Sequence, residues 1–215
     1  MTKVVAGPIV AIYRGRKAEE RGKRMAVQIG AKLDSGFDDP IGLLKDCHRR
    51  IEKFLGILSR VASTAAGRRL TPEEASAVEV SRRYFQKSGP RHNADEEDSL
   101  FPRLRAFAGP HSLEKIARLE SQHHLTSGLH NEVDRLFGLW IAEGFLTPLQ
   151  QDLLTSDCRT LELIYAEHIE AEEKAVFPLA AEFLDAKAMA DIGDEFRVRR
   201  TESATEPAAE TAMVK

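Results

Sequence analysis

From Ile41 onward, apolar residues recur at alternating steps of three and four: Ile41, Leu44, Ile51, Leu55 and Leu58 form one stripe, with His48 standing inside it. That spacing predicts an amphipathic helix whose buried face contains one histidine. Asp39-Pro40 supplies an N-cap and a first-turn proline before it, so the helix runs from residue 40 to about 66. Gly67-Arg-Arg-Leu-Thr-Pro72 reads as a turn with a second N-cap at Thr71, opening a helix toward Phe107. Ser88-Gly89-Pro90 should interrupt or kink this second helix, because proline lacks a donor and crowds the preceding turn. After Ala108-Gly-Pro-His111-Ser112 a third helix extends to about Glu143, with the stripe Ile116, Leu119, His123, Thr126, His130, Val133, Phe137 and Trp140. Gly144-Phe-Leu-Thr-Pro148 ends it, a fourth helix follows to about Asp185, and a short fifth covers Ala186 to Arg197. No stretch reads as a strand. The pattern predicts an all-α protein, an up-down-up-down four-helix bundle with a short C-terminal fifth helix. Weak periodicity marks residues 1–37 as a poorly ordered arm, the bundle occupies 38–197, and the Ala/Glu/Thr-rich stretch 198–215 reads as a disordered tail.

Composition narrows the partners. The chain of 215 residues carries 31 Lys+Arg against 34 Asp+Glu, a net charge of -3, which leaves no basic footprint for nucleic acid. No run of about 20 apolar residues suits a membrane span, and the expected location is the cytoplasm. Cys47 and Cys158 form no CxxC and are expected to remain buried, unpaired thiols.

The chemistry lies in a repeat. His92-Asn-Ala-Asp-Glu96-Glu97-Asp-Ser-Leu-Phe101-Pro102 and His168-Ile-Glu-Ala-Glu172-Glu173-Lys-Ala-Val-Phe177-Pro178 both read H-x-x-x-E-E-x-x-x-F-P. A histidine and a glutamate four residues apart share one helix face, so each copy can aim an imidazole and a carboxylate at the same axis. One such pair is common on wet helices, whereas two copies on alternate helices are a specific signal. In antiparallel neighbours, residues equidistant from a turn lie level. His48 and His92 have their midpoint at position 70, His92 and His123 at 107.5, and His123 and His168 at 145.5, each in or beside an expected turn. The four histidines therefore share one layer, with Glu96 and Glu172 about 6 Å below it. Four imidazoles over two carboxylates can hold a metal pair, iron or manganese with zinc not excluded. His124 lies off the stripe and stands as a fallback for His123, and His130 sits a heptad away as a second-sphere or core residue. Glu97, Glu173 and Asp95 are expected to face solvent, and the two glutamates to matter little, although either glutamate is placed to replace its neighbour as ligand.

At these residues the chain resembles the hemerythrin-like, or HHE cation-binding, family: a first-helix His48, His92 with Glu96, Glu120 to His123 as E-x-x-H, and His168 with Glu172. The resemblance implies a carboxylate-bridged pair of iron ions on His48, His92, Glu96, His123, His168 and Glu172, with the two glutamates as bridges. It further implies binding or sensing of a diatomic gas, oxygen or nitric oxide, or handling of iron. The alternative it carries is a di-iron enzyme acting on nitric oxide or peroxide, or an iron-sulfur repair protein. Oxygen carriers of the family have H-x-x-x-H on the third helix, and four residues after His123 this chain has Ser127, a departure from that pattern. Relative to ferritin-like bundles, with four glutamates and two histidines, the ratio is inverted. Fewer anionic ligands favour the ferrous state, hence gas binding over iron oxidation.

Overall fold

Proline opens each of the four long helices, at Pro40, Pro72, Pro110 and Pro148, where the missing N–H is free of cost. The computed structural model describes residues 34–205, with side chains as far as Thr201. Helix α1 spans Pro40–Thr64, α2 Pro72–Ala94, α3 Phe101–Arg105, α4 Pro110–Glu143, α5 Pro148–Ala171, α6 Phe177–Phe183 and α7 Ala186–Thr205. Between α2 and α3 the chain makes a π turn, Asp95–Leu100, and between α5 and α6 a second one, Glu172–Val176. No strand occurs among the described residues.

Side chains at the boundaries explain where the helices begin and end. The Asp39 carboxylate accepts from the Gly42 N–H at 2.9 Å. Thr71 with Glu74 and Thr147 with Gln150 each form a capping box that satisfies two otherwise orphaned donors. Gly144 closes α4 at φ 84, a left-handed conformation that glycine adopts without a Cβ penalty. Around the bundle α1 packs on α2, α2 on α4, α4 on α5 and α5 on α1. The short connections make these neighbours antiparallel, as the apolar stripes require.

The core has two clusters. One contains Ile51, Leu55, Val133, Phe137, Trp140, Leu161 and Tyr165. The other contains Leu44, Leu100, Phe101, Leu119, Val176 and Phe177, and is covered by Ile192 and Phe196 of α7. His48, between Leu44 and Ile51 on α1, lies where the clusters meet.

Three local expectations need correction. Helix α2 runs through Ser88-Gly89-Pro90 without a break. Gly89 has no Cβ to meet the proline ring, which relaxes the usual restriction on the preceding residue. The hydrogen-bond register changes at the π turns. Pro102 and Pro178 cannot bond the carbonyl four residues back, so the register widens, and the Phe101 and Phe177 N–H groups reach back five residues to the Glu96 and Glu172 carbonyls. Helix α7 continues past Arg197 to Thr205, and its Arg199 and Arg200 pair with the distant Asp95, a contact that local sequence does not reveal. The stretch 198–205, read as disordered tail, is therefore helical. Of the expected arm and tail, residues 1–33 and 206–215 lie outside the described residues, while the end of the arm is tied down, the Ser35 N–H donating to Asp46 at 2.6 Å.

Both cysteines are buried and free. Burial pushes the Cys158 thiol up to about 12, so it should resist alkylation in the native protein. Thiol titration should give two free groups in unreduced, denatured protein, and a value of zero would contradict this arrangement.

Candidate metal centre

The π turns bring six sequence-predicted residues, His48, His92, Glu96, His123, His168 and Glu172, into one fully buried cluster. Two overlapping groups of four are formed, His48, His92, Glu96 and Glu172, and Glu96, His123, His168 and Glu172, each with ligand-type atoms within 4.8 Å of one another. Both glutamates belong to both groups. The rings of His48 and His92 stand edge to face at 5.1 Å between centroids, and those of His123 and His168 are tilted by 51° at 4.6 Å.

Hydrogen bonds at the outer ring nitrogens fix which nitrogen faces inward. Nδ1 of His48 donates to Glu173 Oε1 at 2.9 Å, Nδ1 of His123 to Glu97 Oε1 at 2.6 Å, and Nδ1 of His168 to Gln122 Oε1 at 3.0 Å. Each bond leaves Nε2 as a bare lone pair directed into the cluster. Those lone pairs meet further acceptors. His48 Nε2 lies 2.9 Å from Glu172 Oε2, His168 Nε2 3.1 Å from Glu172 Oε1, and His123 Nε2 3.4 Å from Glu96 Oε2 and 3.0 Å from His168 Nε2. His92 Nε2 stands 3.5 Å from Glu96 Oε1. Both His92 nitrogens, His48 Nε2 and all four oxygens of Glu96 and Glu172 are buried without a hydrogen bond.

Each such orphan costs about 1–3 kcal/mol. Acceptors converging on acceptors fit bound cations, which satisfy them together. The donor set, imidazole with carboxylate, fits iron and comparable divalent metals.

Electrostatics point the same way. Burial, then the neighbouring His48, holds His92 well below the usual imidazole range, and burial and His168 lower His123. Burial and the facing Glu172 raise Glu96 well above the usual carboxylate range. For Glu172 burial opposes ionisation, but in the metal-free cluster a proton on the facing Nε2 of His168 or His48 overcomes it and the carboxyl is lowered. One ionised and one reluctant carboxylate face each other, a conflict that added positive charge removes.

The structure corrects the expectation for Asp95, which is fully buried and accepts from Arg199 and Arg200, and for the second glutamate of each copy. Glu97 and Glu173 do not point away; they hold His123 and His48, and Arg49 in turn pairs with Glu173. The reason is the π turn, which spreads residues over more than the α-helical 3.6 per turn, so each step rotates less and the i+5 side chain stays beside the site. Sequence did carry a signal, the Phe-Pro that ends each copy. Gln122 had none. His124 is exposed, and Glu120 of the E-x-x-H bonds Arg105 at 2.5 Å, so neither joins the cluster. Phe101 and Phe177 stack on His123 and His48 and close the glutamate side.

His130 lies beyond the opposite side, stacked on Phe85 and with its Nε2 3.0 Å from the Tyr165 hydroxyl. Burial lowers His130 to about 4 and raises Tyr165 to about 12, so Tyr165 donates to a neutral imidazole. A folded-state value below the ordinary 6.5 means that His130 contributes stability present above pH 6.5 and lost as pH falls toward 4. The loss should reach roughly 2–3 kcal/mol near pH 4. His130→Gln, which keeps an acceptor without titrating, should flatten the pH dependence of urea unfolding over that window; an unchanged slope would refute the assignment.

The sequence model of the Hemerythrin HHE cation binding domain matches residues 39–180. An uncharacterized protein of Haemophilus influenzae is 29% identical over 167 residues, a stretch covering 76% of this chain and 91% of the relative. The family match and the buried His/Glu clusters together support metal binding. No helix among the described residues is long and apolar enough to cross a membrane.

Proposed function

The chain belongs to the hemerythrin HHE cation-binding family, and on that premise we propose that it is a non-haem di-iron protein whose metal pair binds or senses a diatomic gas, oxygen or nitric oxide. The observation that carries the reading is the sharing of Glu96 and Glu172 between two His/Glu groups, which suits one ion in each group and a carboxylate spanning both. Held by these residues, a ferrous pair would supply electrons and Lewis acidity to a small ligand. The chain's own residues determine the rest. His48 and His92 serve one position, His123 and His168 the other, and Glu173, Glu97 and Gln122 hold the three outward-bonded rings so that Nε2 faces inward. Phe101, Phe177 and the apolar cluster behind them exclude water from the glutamate side. Two carboxylates and four neutral imidazoles bring less negative charge than four carboxylates and two imidazoles, which favours the reduced pair and gas binding.

Metal analysis of protein produced with adequate iron should give about two iron ions per chain, one for each histidine pair. Saturation at one equivalent during anaerobic reconstitution would exclude the pair. A visible spectrum recorded on exposure to oxygen or nitric oxide should change to a stable form that reverts when the gas is removed. Continuous consumption of the gas would instead indicate a di-iron enzyme.

A further inference from the structure

The two copies of the repeat agree at the histidine, both glutamates and the Phe-Pro, and three of the positions at which they differ are spaced four residues apart. Asp95, Ser99 and Arg103 stand in the first copy where the second has Ala171, Ala175 and Leu179. All three polar residues meet α7. The fully buried Asp95 carboxylate accepts from Arg199 Nη1 at 2.8 Å and Arg200 Nη2 at 2.7 Å. Arg199 Nη2 also donates to Ser99 Oγ at 2.5 Å, and Arg103 forks onto Glu195 at 2.7 and 3.2 Å. Ala171 and Leu179 of the second copy pack into the apolar cluster instead.

Asp95 immediately precedes Glu96, and both lie in the first π turn. A π turn is a rare departure from the α-helix, found mostly as a single turn at functional sites, so its conformation depends on its surroundings. Two guanidinium groups fork onto the one carboxylate within that turn, which fixes its orientation more tightly than a single contact would. Helix α7 is itself anchored, with Ile192 and Phe196 fully buried against the cluster that contains Leu100 and Phe101. The path from α7 through Asp95 to the backbone of Glu96 is therefore continuous and rigid.

From these contacts we infer that α7 is a latch for one half of the metal centre: Arg199 and Arg200 are positioning residues that hold Glu96 in place through Asp95 and the first π turn. In the copy that carries Glu172 the equivalent position is Ala171, which offers the arginines of α7 no carboxylate. The inference rests on the reading of Glu96 as a metal ligand, and it makes the two carboxylates unequal in what supports them.

The test uses the full chain loaded with iron, measuring release to an excess of a colorimetric chelator at a temperature where circular dichroism shows undiminished helix content. Arg199→Ala/Arg200→Ala should release iron about tenfold faster or more, the range seen when outer partners of metal ligands are removed, and should shift the ligand-to-metal absorption band. Lysine at both positions should restore much of the retention. Met189→Ala, which loosens the apolar packing of α7 without removing a contact to Asp95, should stay within about twofold of the parent, since it leaves the ligand's outer partners intact. Adding Asp95→Ala to the double variant should have little further effect if all three residues act through one contact. Equal acceleration by Met189→Ala would mean that α7 merely covers the core, and that result, or an unaltered rate in the double variant, overturns the latch. A parent protein that retains no iron would overturn the metal reading and the latch together, whereas iron held equally by parent and double variant overturns the latch alone.

Discussion

Glu172→Ala and Glu96→Ala should each lower the iron content of reconstituted protein from about two ions per chain to one or none, because each removes a carboxylate placed between both histidine pairs. Loss of the ligand-to-metal absorption should accompany the loss of iron. Glu97→Ala and Glu173→Ala should behave differently. Each removes the acceptor that holds a histidine by its outer nitrogen, at 2.6 Å for His123 and 2.9 Å for His48. Such changes weaken metal affinity by about 10–100-fold while leaving the ligand count intact. Titration of all four variants with ferrous ion under anaerobic conditions separates the two classes. A full complement of tightly held iron in Glu172→Ala would show that the shared carboxylates are not the ligands.

Metal removal should cost the fold more than any single surface change. Binding that favours the native state adds about 2.7 kcal/mol at a free metal concentration of 100 Kd and about 4.1 at 1,000 Kd. For a chain of this size that corresponds to roughly 5–15 °C in Tm. The increment should depend on pH with a definite sign. Unfolded histidines titrate near 6.5, and His92 and His123 in the folded metal-free protein titrate lower, so their contribution to stability is present above pH 6.5 and is lost as pH falls. Protonated imidazole cannot ligate, so the metal's contribution declines in the same direction. Calorimetry with and without a chelator should show the largest gap near pH 7 and a smaller one at pH 5. A gap that grows on acidification would contradict histidine ligation.

By itself, the sequence determined the parts of this protein that are local or periodic. The caps at Asp39, Thr71 and Thr147, the first-turn prolines and the glycine at 144 act within a few residues of themselves, so helix starts and stops were readable. Stripes of period 3.6 placed His48 and His123 on buried faces, and equal distances from short turns brought four histidines to one level. That calculation needs only the helical rise and the antiparallel order of the helices. Only the tertiary structure decided what depends on rotation and on partners distant in the chain. The π turns change the angle at which Glu97 and Glu173 leave the helix, turning two residues expected to face solvent into supports for His123 and His48. Gly89 allowed a helix to pass Pro90, where the local rule anticipated a break. Helix α7 persists to Thr205 and meets Asp95 from more than a hundred residues away, through ion pairs between side chains that look like ordinary surface charge in the sequence. Periodicity reports which face of a helix is buried; the residues that meet a given side chain across the bundle depend on packing, which no short window of sequence contains.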